Sequence, residues 1–342
     1  MKGIRIVVLM AAVFFAVTLM FANTGNTQDK EVKLRFSTFF PPSHANSKIT
    51  GEWCKEVEKR TNGRVKVTHY AGATLTPAPQ TYDSVVGGVA DVGNTVLAYT
   101  MGKFPLSEVL DYPLGIPSGS VATRMMNEYY AKFKPKELDE VKIMYLHSVG
   151  PGNLHTRSKP VAKLEDLKGM KIRTYGPNAK MMLLLGATPV AMQQGEAYDA
   201  ISKGVVDGGL WAYEALEGWK HGEVVKYTTE IPMLSYGSCF AVFMNKGKWN
   251  SISPNDQKII EQINKEWIEK QAKLWDDIDE SGKQFILKRG NQITKLSPQE
   301  SARWEKLAAP VFDEYLKNMK AKGLPGDEVL KFARDYLKKH RK

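Results

Sequence analysis

The chain has 342 residues, enough for two domains at the usual allowance of roughly 100 to 200 residues each. A hydrophobic fraction of 43% with 25% charged residues excludes a disordered or fibrous chain. The formal net charge of +11 does not mark a nucleic-acid binder, because the basic residues are scattered and interleaved with acids, as in KEVEKR.

The first element is MKGIRIVVLMAAVFFAVTLMFA, residues 1–22. Lys2 and Arg5 precede an uncharged apolar run from Ile6 to Ala22, the pattern of a secretory signal peptide. An uncleaved membrane anchor is the alternative, since the run is just long enough to span a bilayer. Losing this segment takes the formal charge from +11 to +9.

Strand KLRFST (33–38), helix HANSKITGEWCKEVEKRT (44–61) and strand RVKVTHY (64–70) follow. Next comes YDSVVGGVADVG (82–93), which is echoed by YDAISKGVVDGG (198–209). Each copy opens in a helical pattern, with Tyr82, Val85 and Val86 or Tyr198 and Ile201 at spacings of three and four. Gly88 or Gly204 ends the helix, and a short strand is predicted at Val89 to Asp91 or Val205 to Asp207. Strand MKIRTY (170–175), helix NAKMMLLLG (178–186) and strand TPVAM (188–192) precede the second copy. Strand, helix, strand, helix, strand, written twice, predicts two similar, mostly parallel α/β domains. Ligands of such sheets bind beyond the carboxyl ends of the strands, so two facing edges make a cleft that can shut on a small molecule.

From Asn255 to Arg289 the apolar residues Ile260, Ile263, Trp267, Leu274, Ile278 and Phe285 keep helical spacing, with only Gly282 interrupting. At 1.5 Å per residue such a helix is about 50 Å long, so it lies along both domains or breaks near Gly282. Cys54 in a helical pattern and Cys239 in a strand pattern are expected as two separately buried thiols. The six histidines show no metal-ligand spacing, and no GxSxG or Cys–His motif supplies a nucleophile, so neither cofactor nor catalysis is expected. Asp91 and Asp207 fall at equivalent places in the repeat and are expected to cap local backbone rather than act as an acid–base pair.

Arg173 stands out. In LEDLKGMKIRTYGPN it ends a strand begun after Gly169 and stopped by Pro177, which puts its guanidinium at the cleft edge. The planar fork of donors suits a carboxylate.

The segments LRFSTFFPPSH, GRVKVTHYAGATL, LEDLKGMKIRTYGPN, GEAYDAISKGVVDGG and VFMNKGKW together resemble the solute-binding proteins of tripartite ATP-independent periplasmic (TRAP) transporters. The resemblance implies the two-lobed periplasmic binding protein fold, with hinge strands and a long spanning helix. It places lobe I at 29–150 plus 239–278, lobe II at 151–238 plus 279–330, and a basic tail at 331–342. It further implies a monomeric periplasmic receptor that hands a small organic acid to membrane permease subunits; an ABC-type or sensor-linked receptor is the alternative. Arg173 would anchor the ligand carboxylate. Asn153 stands twenty residues earlier, where some members have a second Arg, which favours a monocarboxylate. Phe39 and Trp211 replace residues that are polar in sialate-binding relatives and, with Phe40, Tyr175 and Phe240, imply an aromatic pocket. Gln194 would read a hydroxyl or keto group. Bending on closure is expected near Ser238 to Phe243 and near Gly282.

Overall fold

The computed structural model describes residues 31–340 except residue 101. The expected signal peptide lies outside the described residues. Eleven strands are described: β1 (Val32–Thr38), β2 (Val65–Tyr70), β3 (Val92–Val96), β4 (Val141–His147), β5 (Asn153–Thr156), β6 (Lys171–Thr174), β7 (Thr188–Ala191), β8 (Gly208–Trp211), β9 (Tyr227–Glu230), β10 (Phe240–Asn245) and β11 (Gln292–Lys295). They form two sheets, ordered β2-β1-β3-β10-β4 and β11-β9-β5-β8-β6-β7.

The two orders express the repeat. β1 pairs in parallel with β2 and β3, as β6 does with β7 and β8. One reversed strand then enters each sheet: β10 is antiparallel to β3 and β4, and β5 is antiparallel to β8 and β9. Each reversed strand comes from the other side of the chain crossing. β10 follows all of the second sheet except β11, and β5 follows β4 of the first.

The repeat's strands begin later than the sequence predicts. Val89 and Val205 are each 53% exposed in a turn that follows Gly88 (φ +77°) and Gly204 (φ +73°), and pairing starts at Val92 and Gly208. The reason is the aspartate. The Asp91 carboxylate accepts the Arg35 N–H at 2.8 Å and Asp207 accepts the Lys171 N–H at 2.7 Å, so each ties the turn to the neighbouring strand, at the middle of β1 and the start of β6. Their backbone amides bond back to Arg35 and Lys171, and their carbonyls accept from Asn245 at the end of β10 and from Arg157 just after β5. This is structural work, duplicated with the fold.

The long helix is continuous from Pro254 to Lys288. Ser253 caps it through its Oγ, 3.2 Å from the Asp256 N–H, with proline in the first turn. Ile260, Ile263 and Trp267 pack into the first lobe's core and Ile286 into the second's. Gly282 is no break. A Cβ there would lie 2.1 Å from the Tyr213 carbonyl oxygen, so the glycine is a point of close approach between the spine and the second lobe.

Three helices, Pro298–Ala308, Pro310–Ala321 and Gly326–His340, close the chain. The expected basic tail is corrected here: residues 331–340 complete the last helix, with Ala333, Tyr336 and Leu337 buried. Its lysines occupy the outer face of an amphipathic helix, which reads as a charge run when the apolar spacing is overlooked. Cys54 and Cys239 are free and buried. No described helix is long and apolar enough to cross a membrane.

Candidate functional site

Arg173 is the penultimate residue of β6, near the carboxyl end of that strand between β7 and β8, and is fully buried. Its Nε and Nη2 donate to the Met192 carbonyl at 3.2 and 3.1 Å, which fixes the guanidinium plane. That plane lies 5.0 Å from the Tyr175 ring and 5.6 Å from the Trp211 ring. No acid among the described residues pairs with it. The Arg173 charge also acts on Tyr99, whose phenol is raised by burial and drawn partly back by the guanidinium.

A cavity of about 30 Å³ opens beside Arg173, between the lobes. Phe39, Phe40, Tyr175, Gln194, Trp211 and Phe240 all line it, so the structure brings seven of the eight residues expected from sequence to one place. The eighth is a correction. Asn153 lines a different cavity, of about 520 Å³, together with Pro151, Pro232, Asp276 and Asp279. Its Nδ2 donates to the Pro151 carbonyl at 3.1 Å and its Oδ1 accepts the Ile231 N–H at 3.2 Å. The side chain thus staples the two crossing segments together, and both its ends are used.

Gln194 faces the cavity with its amide engaged. Its Oε1 accepts from Trp211 Nε1 at 2.9 Å and its Nε2 donates to His221 Nε2 at 3.0 Å. Burial, with the Arg173 charge nearby, pushes His221 down to about 3, so the ring is neutral and accepts. Gln194 therefore locks the indole in place. His155 is neutral for the same reason, pushed down by burial to about 4.

The opposite wall is a stack of rings. Phe39 lies 4.5 Å from Phe40 and 6.2 Å from Phe240, and Phe240 stacks on His147 at 4.9 Å and 8°. His147 Nδ1 accepts from Trp275 Nε1 at 3.0 Å, and its Nε2 donates to Asn94 Oδ1 at 3.2 Å. Burial pushes this imidazole down to about 3. The stack runs unbroken from the cavity wall to the spine helix.

Sequence reasoning missed several wall residues: Tyr99, Glu214, Trp219, Tyr236 and Ser238. All lie in connections or short helices, where no periodicity marks them. Several contacts cross between lobes. Phe39 of the first lobe stacks on Trp219 of the second at 5.9 Å, and Tyr99 meets Tyr175 at 5.2 Å. The Tyr175 hydroxyl is 2.5 Å from Ser238 Oγ on the crossing segment. Among the described residues no group of three or more His, Cys, Asp or Glu is placed to hold a metal ion.

Two α/β lobes that exchange a strand, share a spine and close on a buried arginine among aromatic rings define a two-lobed solute-binding protein. The chain belongs to the bacterial extracellular solute-binding proteins of family 7, whose sequence model matches residues 36–318, and thus to the solute-binding components of TRAP transporters. A TRAP solute-binding protein from a marine metagenome, described as specific for aromatic acid ligands and solved with metahydroxyphenylacetate, is 30% identical with a TM-score of 0.86. That match covers 91% of this chain and 100% of the other. A TRAP solute-binding protein of Rhodoferax ferrireducens, solved with copurified benzoate, is 29% identical with a TM-score of 0.84, covering 90% and 98%. A solute-binding protein of Chromohalobacter salexigens is 26% identical over 281 residues, 81% of this chain and 82% of its own. Family membership sets aside the ABC-type alternative.

Proposed function

We propose that this protein is a periplasmic receptor for a small aromatic monocarboxylic acid, which it holds between its lobes and delivers unchanged to a TRAP permease. The observation that carries the reading is Arg173, a fully buried guanidinium with no acidic partner among the described residues. Desolvating a cation costs several kcal/mol unless an anion compensates, and one carboxylate in the cavity does so. The aromatic character rests on Phe39, Phe40, Tyr175, Trp211, Trp219 and Phe240, which surround that charge. The aromatic acids bound by the two structural relatives above, at 30% and 29% identity, support the same class.

On this reading Arg173 pairs with the carboxylate, the rings sandwich the aromatic body, and the lobes part to admit it, since about 30 Å³ holds only two or three waters. The protein acts as a monomer and needs no cofactor. Native mass spectrometry of the purified protein, followed by titration calorimetry with benzoate, mandelate, pyruvate and succinate, tests it. One aromatic acid per chain, recovered chemically unchanged, is expected. Tighter binding of succinate or pyruvate than of every aromatic acid would overturn the aromatic assignment.

A further inference from the structure

The cavity is polar at both ends. Arg173 forms one, with the Tyr175 and Trp211 rings against it. The other is Glu214, 5% exposed, which also lines the cavity. Its Oε2 is 3.0 Å from His44 Nε2. His44 Nδ1 accepts the Asn46 N–H at 3.1 Å, so the ring proton sits on Nε2 and is donated to Glu214.

The two ends are separated by rings. Those around His44 are Phe40, Trp219 and Trp275, at 4.8, 5.7 and 6.5 Å, and none of them is a ring against Arg173. Phe39 lies between, 6.0 Å from Tyr99 at the arginine end and 5.9 Å from Trp219 at the other. Glu214 Oε1 has no partner among the described residues. An acceptor oxygen without a protein partner on the cavity lining can take a ligand hydrogen, and it repels a second ligand carboxylate.

Resting on the aromatic-acid reading, we infer that Glu214 Oε1 accepts a hydroxyl or amino hydrogen at the end of the ligand away from its carboxylate, with His44 as the residue that positions it. The receptor thereby selects hydroxylated aromatic acids over unsubstituted ones and rejects dicarboxylates. His44 sits before the helix Ala45–Arg60 of the first lobe and Glu214 begins the helix Glu214–Gly218 of the second, so the acceptor is aimed only when the lobes meet.

Titration calorimetry with matched pairs tests this: benzoate against 3-hydroxybenzoate, and phenylacetate against 3- and 4-hydroxyphenylacetate. The wild-type protein is expected to favour the hydroxylated member of at least one pair tenfold or more. Glu214→Ala should bring that ratio within threefold. Should that variant fail to fold, Glu214→Gln, matched in shape, should lower the ratio at least threefold. His44→Ala should lower the ratio too, and His44→Gln, which keeps a donor, should restore part of it. An unchanged ratio in the folded Glu214 variant overturns the inference. So does a wild-type ratio near one in every pair while the acids bind, an outcome that leaves the aromatic reading standing. Binding of no aromatic acid at all overturns that reading and this one together.

Discussion

Arg173 is oriented by the Met192 carbonyl and by the Tyr99 side chain, and the five donors of a guanidinium leave some of its N–H groups for a ligand. Removing one partner of a desolvated charge pair costs about 3 to 5 kcal/mol, roughly 10² to 10³ or more in dissociation constant. Arg173→Ala should therefore abolish high-affinity binding in calorimetry while the circular dichroism spectrum stays native. Affinity within threefold of wild type would remove Arg173 as anchor. Trp211 is both wall and core, 4% exposed and bonded to Gln194, so Trp211→Ala should lower the melting temperature and the affinity together. Intact affinity beside a large thermal loss would make it core alone. The residues legible in the sequence were those whose place follows from strand position: Arg173 near the end of β6, Phe39 after β1 and Trp211 at the end of β8. His44 and Glu214, 170 residues apart, meet only because the lobes do. Asn153 was misread because position along a strand does not say which cavity a side chain serves.

At the scale of elements, the spine shows how one glycine can carry two opposite readings. An isolated glycine within a helical pattern suggests a break, and nothing in the sequence reveals the Tyr213 carbonyl that presses against it. The two readings differ in sign on substitution. In a free hinge, Gly282→Ala would stabilise the helix by about 0.5 to 1 kcal/mol. Against a backbone oxygen 2.1 Å from the new Cβ, the helix must shift, at a cost of about 1 to 3 kcal/mol. A fall of several degrees in melting temperature is expected, and a rise would restore the hinge. The bend expected near Ser238 to Phe243 does coincide with an irregularity, since the β10–β4 register shifts between Val242 and Phe243. Helices with clean spacing and Gly stops were legible almost to the residue, as with 44–61 against Ala45–Arg60. The repeat strands were misplaced because exposed Val89 and Val205 mimic the start of a strand.

For the whole molecule, closure and pH response follow from what the lobes bury. If the lobes part to admit ligand, small-angle scattering should report a smaller radius of gyration with a saturating aromatic acid than without it. An unchanged profile would argue for a static site. Burial pushes the Asp111 carboxyl up to about 8 and that of Asp279 up to about 7. In the folded state both hold a proton that an ordinary aspartate releases near pH 4, so stability is lost as pH rises towards those values, by about 1.4 kcal/mol per unit and group. The melting temperature should accordingly fall by a few degrees between pH 6.5 and 8. Asp111→Asn, which keeps an oxygen for the Cys239 N–H now 2.5 Å from Oδ1, should flatten most of that decline. The exchanged strands carry a last consequence, for how the chain acquires its shape. β10 sits inside the first sheet yet is made after β5 to β9 of the second, so as the chain emerges from its amino end the first lobe stays incomplete until residue 245 has arrived. Neither lobe is a self-sufficient folding unit, and scanning calorimetry should record one cooperative transition, with equal calorimetric and van't Hoff enthalpies, where two lobes joined by a simple linker would melt in two steps.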